Sequence, residues 1–426
     1  MDVTIFPSRL HGTVGAIASK SQAHRALICA ALADKPTSIE CVGESGDITA
    51  TVRCLRALGS EITREPGGYV VSPLRIPNSE FRDGEAASLP CKESGSTFRF
   101  MLPIAGALGR SVAFVPEGRL PSRPLSPLYE ELVSHGCTLS PQGAVPFYIS
   151  GRLTPGIYSL DAGVSSQFVS GLLFALPLLD GDSELSLIGR VESFPYIELT
   201  MAMLEIFDIK IEFDGTLFMI HGGQSYRSPG VAHIEGDWSN AAFWLCAGAI
   251  GADSVTCAGL DLQSHQGDRA IMDILMRFGA YVEYEASAVT VSGGNLRGME
   301  IDAKNIPDLV PVLAVVATAA KGTTVIRNAG RLRDKESDRL AAITSVLRGL
   351  GADVVETEDG LLIHGGVELT GGQVSSWGDH RIAMAAAIAA SMCKNHVEIK
   401  HADAVNKSYH GFFNDLRSLG GRINES

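Results

Sequence analysis

The stretch LRGLGADVVE, residues 347–356, decides the fold, because its pattern recurs at a nearly constant spacing along the chain. A leucine lies four residues before a glycine, and such a glycine is typical of the left-handed turn that ends a helix and leads into a strand. The other copies begin at Leu55, Leu132, Leu204, Leu275 and Leu416. Successive copies are 77, 72, 71, 72 and 69 residues apart, and only the third lacks the glycine, with Asp208 in its place. Six units of about 71 residues therefore account for the whole chain.

Polar or glycine-containing turns recur with the same period, and each precedes an apolar helix. Their marker residues, which are 74, 71, 73, 69 and 72 residues apart, are Ser21, Gly95, Ser166, Ser239, Asp308 and His380. Ser, Asp and Gly suit helix N-caps, and helices that are apolar on all sides are expected to be buried. Each unit reads as strand, helix, strand, helix and strand, which is an α/β pattern. Since a helix N-terminus carries a partial positive charge, converging N-termini would form a site for anions.

The composition indicates a globular protein of two domains. The chain has 426 residues, which exceeds one ordinary core, and 45% of them are hydrophobic and 19% charged. The longest apolar runs, such as 310–320, are too short to cross a membrane, and the N-terminal segment has no signal-peptide pattern, so we expect a cytoplasmic protein. A net charge of −13 argues against a nucleic-acid partner.

Cysteine and histidine spacing indicates no metal site. The eight cysteines are scattered without a CxxC pair, and the eleven histidines form no HxxxH or similar pattern. We therefore predict buried free thiols in a reducing compartment.

Cationic residues are concentrated near the helix starts. They are Lys20, Arg25, Arg99, Arg123, Lys335, Arg339, Arg381 and Lys407. Lys335 and Arg339 are four residues apart, which predicts a shared helical face. A single such charge is usually a solvated surface group. As a group beside small residues that permit close backbone approach, they indicate a local site for small anions.

Two carboxylates stand within this basic setting. Asp308 follows Pro307 at an apolar helix start, where its ordinary role would be an N-cap. Glu336 lies between Lys335 and Arg339, where its ordinary role would be an ion pair within a helix. Carboxylates beside lysines and arginines can also accept and donate protons for a bound substrate, so both are candidates for acid–base chemistry.

Eleven short segments, in their order along the chain, resemble the 5-enolpyruvylshikimate-3-phosphate (EPSP) synthase family. They are SKSQAHRA from Ser19, ESGSTFRF from Glu93, RPLSPL from Arg123, SSQF from Ser165, ESFPYIELT from Glu192, GGQSY from Gly222, EGD from Glu235, IPD from Ile306, KESDRL from Lys335, DHRIAM from Asp379 and NKSYHGFF from Asn406. Each is weakly specific alone, but together they cover nearly the full length and are highly specific.

The resemblance implies a two-domain, inside-out α/β barrel built from six βαβαββ repeats, three in each domain. Domain one would combine residues 1–18 with residues 237–426, and domain two would contain residues 19–236. This implied fold agrees with the six units that the spacing indicates independently.

The resemblance also implies a reaction, in which the enolpyruvyl group of phosphoenolpyruvate passes to the 5-hydroxyl of shikimate 3-phosphate and phosphate is released. It implies addition followed by elimination, with no metal or organic cofactor, and with domain closure around the two substrates. We expect these small molecules to be the partners, with no nucleic acid or membrane, and we expect a monomer.

By matched position, the resemblance assigns residues to each substrate. Shikimate 3-phosphate would contact Lys20, Ser21, Arg25, Ser165, Ser166, Gln167, Ser193 and Lys335. Phosphoenolpyruvate would contact Lys20, Gly95, Arg123, Gln167, Arg339, Arg381 and Lys407. Asp308 would be the base at the 5-hydroxyl, and Glu336 with Lys407 or Lys20 would be the proton donors.

Three positions depart from the family pattern, since Glu93, Arg331 and Gly378 stand where asparagine is common. They leave the reaction unchanged and bear on local contacts. The family is the target of glyphosate, which occupies the phosphoenolpyruvate site. Gly95 has no side chain to exclude it, so we expect sensitivity.

Two alternative functions are weighed against this one. The sister enzyme that transfers enolpyruvate to UDP-N-acetylglucosamine shares the repeats, but it usually has a loop cysteine and an Asn after the first lysine. Here Ser21 follows Lys20, and the loop GRLPSRPLSPL, residues 118–128, has no cysteine. A non-catalytic anion-binding protein would gain nothing from Asp308 and Glu336 at its ligand.

Overall fold

The six repeated leucine-to-glycine segments end their helices in the same way. The structure, a computed structural model, describes residues 1–43, 45–75, 86–161, 163–189 and 191–425. A residue with a positive φ follows each of these helices, and the six residues are Gly59, Gly136, Asp208, Gly279, Gly351 and Gly420. Asp208 has a φ of 60°, which aspartate adopts more readily than most residues other than glycine. The third copy therefore changes the residue but keeps the turn.

The described strands form six four-stranded sheets of one topology. In each sheet the first strand of the repeat pairs in parallel with the second strand. The fourth strand of the repeat lies between the second and the third and is antiparallel to both. The parallel pair needs a crossover connection, which the first helix of the repeat supplies. This arrangement confirms the predicted α/β fold of six βαβαββ units.

The chain divides into two compact units. Unit 1 contains Met1–Ala18, Gly43–Ser45 and Glu235–Ser426, and unit 2 contains Ser19–Val42 and Gly46–Ile234. Among the described residues, no helix is both long enough and apolar enough to span a bilayer.

Unit 1 holds three of the sheets. In order across each sheet, their strands are β2 (Gly12–Gly15), β15 (Val255–Ala258), β17 (Ala288–Ser292) and β16 (Tyr281–Glu285); β18 (Glu300–Asp302), β19 (Gly322–Arg327), β21 (Leu361–Gly365) and β20 (Asp353–Glu356); and β22 (Gly372–Ser375), β23 (Val397–Lys400), β1 (Val3–Phe6) and β24 (Arg422–Glu425). The N-terminal strand β1 is thus the fourth strand of the last repeat.

Unit 2 holds the other three sheets. Their strands are β14 (Val231–His233), β3 (Thr37–Glu40), β5 (Gly68–Val71) and β4 (Ile62–Glu65); β6 (Ala87–Lys92), β7 (Val112–Pro116), β9 (Phe147–Gly151) and β8 (Cys137–Leu139); and β10 (Ile157–Asp161), β11 (Ser183–Ile188), β13 (Leu217–Ile220) and β12 (Glu212–Phe213). Strand β14 comes last in this unit but pairs in parallel with β3, so it completes the first sheet.

Each repeat has two helices. We call the first the inner helix and the second the outer helix. The inner helices are α1 (Lys20–Leu32), α3 (Gly95–Ala107), α5 (Ser166–Ala175), α7 (Trp238–Ile250), α9 (Val310–Ala319) and α11 (His380–Ser391). The outer helices are α2 (Gly46–Ala57), α4 (Leu128–Ser134), α6 (Phe194–Ile206), α8 (Ile271–Phe278), α10 (Arg339–Gly349) and α12 (Phe412–Ser418). The inner helices are apolar and buried nearly throughout, as predicted, and α7, α9 and α11 pack against one another in unit 1.

The inner helices begin at polar side chains, although the caps precede most of the predicted marker residues. Five inner helices are capped by side chains, and the caps are Ser19, Ser94, Ser165, Asp237 and Asp379. Helix α9 differs, because it begins through the 3-10 turn Pro307–Leu309, and no side chain among the described residues caps it. The interpretation of Asp308 as an ordinary N-cap is therefore wrong.

Helices α3 and α5 approach closely in unit 2. A Cβ atom at Gly171 would lie 2.5 Å from the carbonyl oxygen of Arg99 and 3.0 Å from Cγ of Pro103. Because the first of these atoms belongs to helix backbone, it cannot move without shifting α3. Glycine at this position sets the distance between the two helices that carry Gly95 and Gln167.

We expect Gly171→Ala to lower the free energy of unfolding of the protein by about 1–3 kcal/mol, the usual cost of overpacking a core. The matched control is Gly15→Ala, because a Cβ there would meet no heavy atom within 4 Å, and its change should stay within about 0.5 kcal/mol. Urea unfolding followed by circular dichroism measures both. Equal unfolding midpoints for the two variants would contradict the close helix approach.

Candidate active site

Arg339 in unit 1 is a buried cation that bonds three carboxylates. It is the first residue of α10, and its side chain is 2% exposed. Its Nη1 lies 2.8 Å from Oδ1 of Asp308, its Nη2 lies 2.8 Å from Oε2 of Glu336, and its Nε lies 2.8 Å from Oδ2 of Asp379. Burial acts to lower the pKa of this guanidinium, but the three carboxylates outweigh burial and raise the pKa above its usual range. Arg339 therefore stays charged and fixes three acidic side chains.

Asp308 lies between two guanidinium groups. Besides the bond from Arg339, its Oδ2 accepts a hydrogen bond from Nη2 of Arg381 at 3.0 Å. About a fifth of its side chain is exposed, whereas both arginines are buried. The two bonds hold the carboxylate in one orientation and leave part of it accessible to a ligand.

Glu336 lies beside a second cation. Its Oε1 is 3.6 Å from Nζ of Lys407, and both side chains are largely buried. The predicted helical face shared by Lys335 and Arg339 is wrong, because α10 begins only at Arg339, behind the N-cap Asp338. Lys335 and Glu336 lie in the preceding loop, so the Glu336 pair is formed by the turn that leads into the helix.

Asp379 joins the starts of two helices. It is fully buried and caps α11 by accepting a bond from the Arg381 amide at 2.9 Å, while its other oxygen accepts from Arg339 and from the hydroxyl of Ser337. Asp379 was not among the site residues predicted from the sequence. Its signal was the GDHR turn, where an aspartate in front of an apolar helix precedes an arginine.

In unit 2, Gln167 is held by two neighbours. Its Oε1 accepts a bond from Nη1 of Arg99 at 2.9 Å, and its Nε2 donates to the hydroxyl of Ser96 at 2.9 Å. Arg99 also donates to the carbonyl of Pro124 at 2.9 Å. These bonds connect the starts of α3 and α5 with the loop that carries Arg123. The guanidinium of Arg123 lies over the start of α3, because a Cβ at Gly95 would be 2.9 Å from its Nη1.

The start of α3 rests on a buried chain of hydroxyl groups. Ser94 accepts from the hydroxyl of Thr97 at 2.7 Å, Thr97 bonds Thr51 at 2.7 Å, and Thr51 bonds Nδ1 of His24 at 2.6 Å. Burial lowers the pKa of His24 to about 3. The ring is therefore neutral at physiological pH and serves as a hydrogen-bonding group rather than a cation.

The predicted residues of α1 are already partly engaged by the protein. Nζ of Lys20 lies 3.0 Å from Oδ2 of Asp47 on α2. Arg25 is 2% exposed and donates to the hydroxyl of Thr200 at 2.8 Å and to the carbonyls of Ser21 and Tyr196 at 2.6 and 2.7 Å. Burial lowers its pKa to about 10, so it remains a cation at neutral pH. Arg25 thereby links α1 with the start of α6.

Three predicted serines lie at the starts of α5 and α6. Ser165 caps α5, Ser166 is its buried first residue, and Ser193 is buried immediately before α6. Ser193 has a φ of 54°, which costs a non-glycine residue conformational energy and is a feature that concentrates at functional sites.

The three residues that depart from the family pattern lie in defined local settings. The carboxylate of Glu93 packs against Gly118, where a Cβ would overlap it. Arg331 donates to the carbonyl of Lys304 at 2.9 Å. Gly378 has a φ of 67°, a conformation that asparagine also tolerates, so the backbone turn does not require one residue type over the other.

The structure thus gathers the predicted residues within each unit. In unit 1, direct bonds or ion pairs connect Asp308, Glu336, Arg339, Arg381 and Lys407. In unit 2, the starts of α3 and α5 bring Gly95, Arg123 and Gln167 into one neighbourhood through Arg99. Each group combines guanidinium or ammonium ions with polar helix starts, which suits small phosphorylated anions.

A sequence model of EPSP synthase, or 3-phosphoshikimate 1-carboxyvinyltransferase, matches residues 6–416. The chain belongs to the EPSP synthase family. A relative in Clostridium kluyveri named 3-phosphoshikimate 1-carboxyvinyltransferase is 45% identical over 99% of this chain and 98% of its own length. One of the same name in Clostridium acetobutylicum is 43% identical over the same shares.

Solved structures of EPSP synthase share the fold. The one from Acinetobacter baumannii covers 100% of both chains with a TM-score of 0.83 and 24% sequence identity. The enolpyruvyl transferase NikO from Streptomyces tendae covers 100% of this chain and 98% of its own, with a TM-score of 0.81 and 20% identity. Together with the six sheets, these likenesses confirm the predicted fold class.

We expect Arg339→Lys to lower the free energy of unfolding of unit 1 by about 2–4 kcal/mol, because one ammonium cannot replace a guanidinium that bonds three carboxylates. Arg327→Lys is the matched control, since Arg327 is largely exposed and pairs with one carboxylate, that of Glu300. Its effect should be below about 0.5 kcal/mol. Thermal and urea unfolding measure the difference, and similar losses for both variants would argue against Arg339 as the organising cation.

Proposed function

We propose that the protein transfers the enolpyruvyl group of phosphoenolpyruvate to the 5-hydroxyl of shikimate 3-phosphate and releases phosphate, a step of the shikimate pathway that leads to chorismate and the aromatic amino acids. The observation that carries the proposal is Asp308, a partly exposed carboxylate that Arg339 and Arg381 orient. The relatives, which match nearly the whole chain, are named for the transfer of a carboxyvinyl (enolpyruvyl) group to 3-phosphoshikimate, which supports this acceptor and this transferred group.

The reaction proceeds by addition and then elimination. A proton adds to C3 of phosphoenolpyruvate, the 5-hydroxyl oxygen bonds to C2, and the hydroxyl proton passes to Asp308. The bond between C2 and the phosphate oxygen then breaks, and C3 loses a proton to restore the double bond. Glu336 with Lys407 or Lys20 exchanges the proton at C3, and the 3.6 Å between Glu336 and Lys407 supports that pairing.

The positive charges of the site residues complement the negative charges of the proposed substrates. Each substrate carries a carboxylate and a phosphate, and charge-assisted hydrogen bonds to such groups are the strong ones. Shikimate 3-phosphate is proposed to contact Lys20, Ser21, Arg25, Ser165, Ser166, Gln167, Ser193 and Lys335. Phosphoenolpyruvate is proposed to contact Lys20, Gly95, Arg123, Gln167, Arg339, Arg381 and Lys407.

We further propose that residues 1–18 with 237–426 form one domain and that residues 19–236 form the other. Each domain contributes some of the proposed substrate contacts. The monomeric state, the cytoplasmic location and the sensitivity to glyphosate stay predictions.

Phosphate release separates this function from its alternatives. We expect release from phosphoenolpyruvate with shikimate 3-phosphate, and none with UDP-N-acetylglucosamine or without an acceptor. A coupled phosphate assay measures the three reactions. Release only with the nucleotide sugar would select the sister activity, and no release with either acceptor would favour a binding protein.

We expect Asp308→Asn to lower kcat by roughly 10²–10⁴, the usual contribution of a general base, with smaller changes in substrate affinity. The amide keeps the shape and can still accept a hydrogen bond from an arginine, but it cannot take the hydroxyl proton. The control is Asp302→Asn, an exposed position in the same unit, which should keep kcat within about twofold of the parent. Steady-state kinetics compare the two, and an unchanged kcat in Asp308→Asn would exclude Asp308 as the base.

A further inference from the structure

A buried carboxylate in unit 1 has no part in the reaction as proposed so far. Asp268 lies in the 3-10 turn Gly267–Ala270, directly before α8, and is 1% exposed. Its Oδ2 accepts a hydrogen bond from the hydroxyl of Ser239, at the start of α7. Among the residues that the structure describes, its Oδ1 has no hydrogen-bond partner. An ionised carboxylate with an unsatisfied oxygen is costly to bury, so a neutral side chain would be less costly here.

The charges around Asp268 connect it to the proposed base. Asp308, before α9, repels its negative charge, and Arg381, on α11, attracts it. Arg381 also bonds Asp308 directly, so the two carboxylates share one cation. Asp237, the N-cap of α7, adds further repulsion, while Arg269 next in the turn is exposed and bonds a backbone carbonyl.

Asp268 changes its protonation in the neutral range. Burial is the main cause that raises its pKa to about 7, and the charge of Asp308 raises the pKa further, while Arg381 and the Ser239 hydroxyl act to lower it. Because two carboxylates that interact in this way titrate together, the charge on each changes the proton affinity of the other.

We propose that Asp268 is a positioning residue for the reaction, and that its negative charge strengthens Asp308 as a proton acceptor. The inference rests on the proposed function, since that reaction supplies the proton that Asp308 accepts. Ionised Asp268 and ionised Asp308 repel each other, and the repulsion ends when Asp308 takes the proton of the 5-hydroxyl. Protonated Asp268 gives no such assistance. The Ser239 hydroxyl favours the assisting state, because it donates to the ionised carboxylate.

Asp268→Asn tests the effect on turnover. The amide resembles protonated Asp268 at every pH, so kcat should fall roughly three- to tenfold at about pH 8.5 and less than about twofold at about pH 5.5. KM for both substrates should change little. A residue with a purely structural role would instead lower kcat by the same factor at both values, or would raise KM, and either result would overturn the proposal.

Unfolding measurements show whether a lower kcat of Asp268→Asn comes from a less stable fold. The folded-state pKa of Asp268 lies above its unfolded value, so the native chain loses stability as pH rises from about 4 through about 7. The amide removes that loss, so at about pH 8.5 the free energy of unfolding of Asp268→Asn should be higher than that of the parent. A less active but more stable variant supports the proposal, and a less stable variant at that pH would contradict it.

Infrared spectroscopy of the substrate-free protein tests the coupling without any turnover. A protonated-carboxyl band that disappears near pH 7 in the parent should be missing in Asp268→Asn. Its midpoint should move down in Asp308→Asn, because a negative charge is removed, and up in Ser239→Ala, because a donor to the ionised form is removed. An unmoved midpoint in Asp308→Asn would overturn the inference. If the parent releases no phosphate while these shifts occur, the proposed function fails and the coupling stands.

Discussion

The bonds from one buried guanidinium to three carboxylates organise unit 1. Arg339 binds a residue before α9, a residue of the turn before α10 and the N-cap of α11, so a single cation fixes three segments that come from two different repeats. Burying a charge is tolerable only when its partners surround it. The carboxylates in turn need this cation, because without it three negative groups would be crowded at the buried helix starts. Helix packing in unit 1 and the orientation of Asp308 therefore depend on the same interaction.

The repeated architecture explains why such groups meet. Side-chain contacts join the starts of α9, α10 and α11 in unit 1 and the starts of α3 and α5 in unit 2, so the residues that precede or begin those helices become neighbours. In unit 1 they are acids and arginines in direct contact. In unit 2 the corresponding places hold Gln167, Ser96 and Arg99, with hydroxyl groups behind them. One backbone pattern thus supports two chemically different surfaces, one suited to proton transfer and one suited to hydrogen bonding of anions.

The sequence could predict the repeats because their turns are local. The left-handed residue after each outer helix depends on a few neighbours, and Asp208 shows that aspartate meets the same requirement. The ionic partners are not local. Asp308 resembles an N-cap until Arg339 and Arg381 approach from other helices, and Lys335 resembles a helical residue until Asp338 is seen to cap α10. Asp268 could not be predicted from the sequence. The groups whose charges act on it, Asp308 and Arg381, are remote in sequence and come near it only after folding.

The donor count of Arg339 limits what it can do for a substrate. A guanidinium has five N–H groups, and the contacts with Asp379, Asp308 and Glu336 use most of them, including a second contact to Asp379 at 3.4 Å. Among the described residues, one N–H on Nη1 is left without a bond of its own. If Arg339 contacts phosphoenolpyruvate, it has few hydrogen-bond donors left for it, and it acts chiefly by holding the three carboxylates around it.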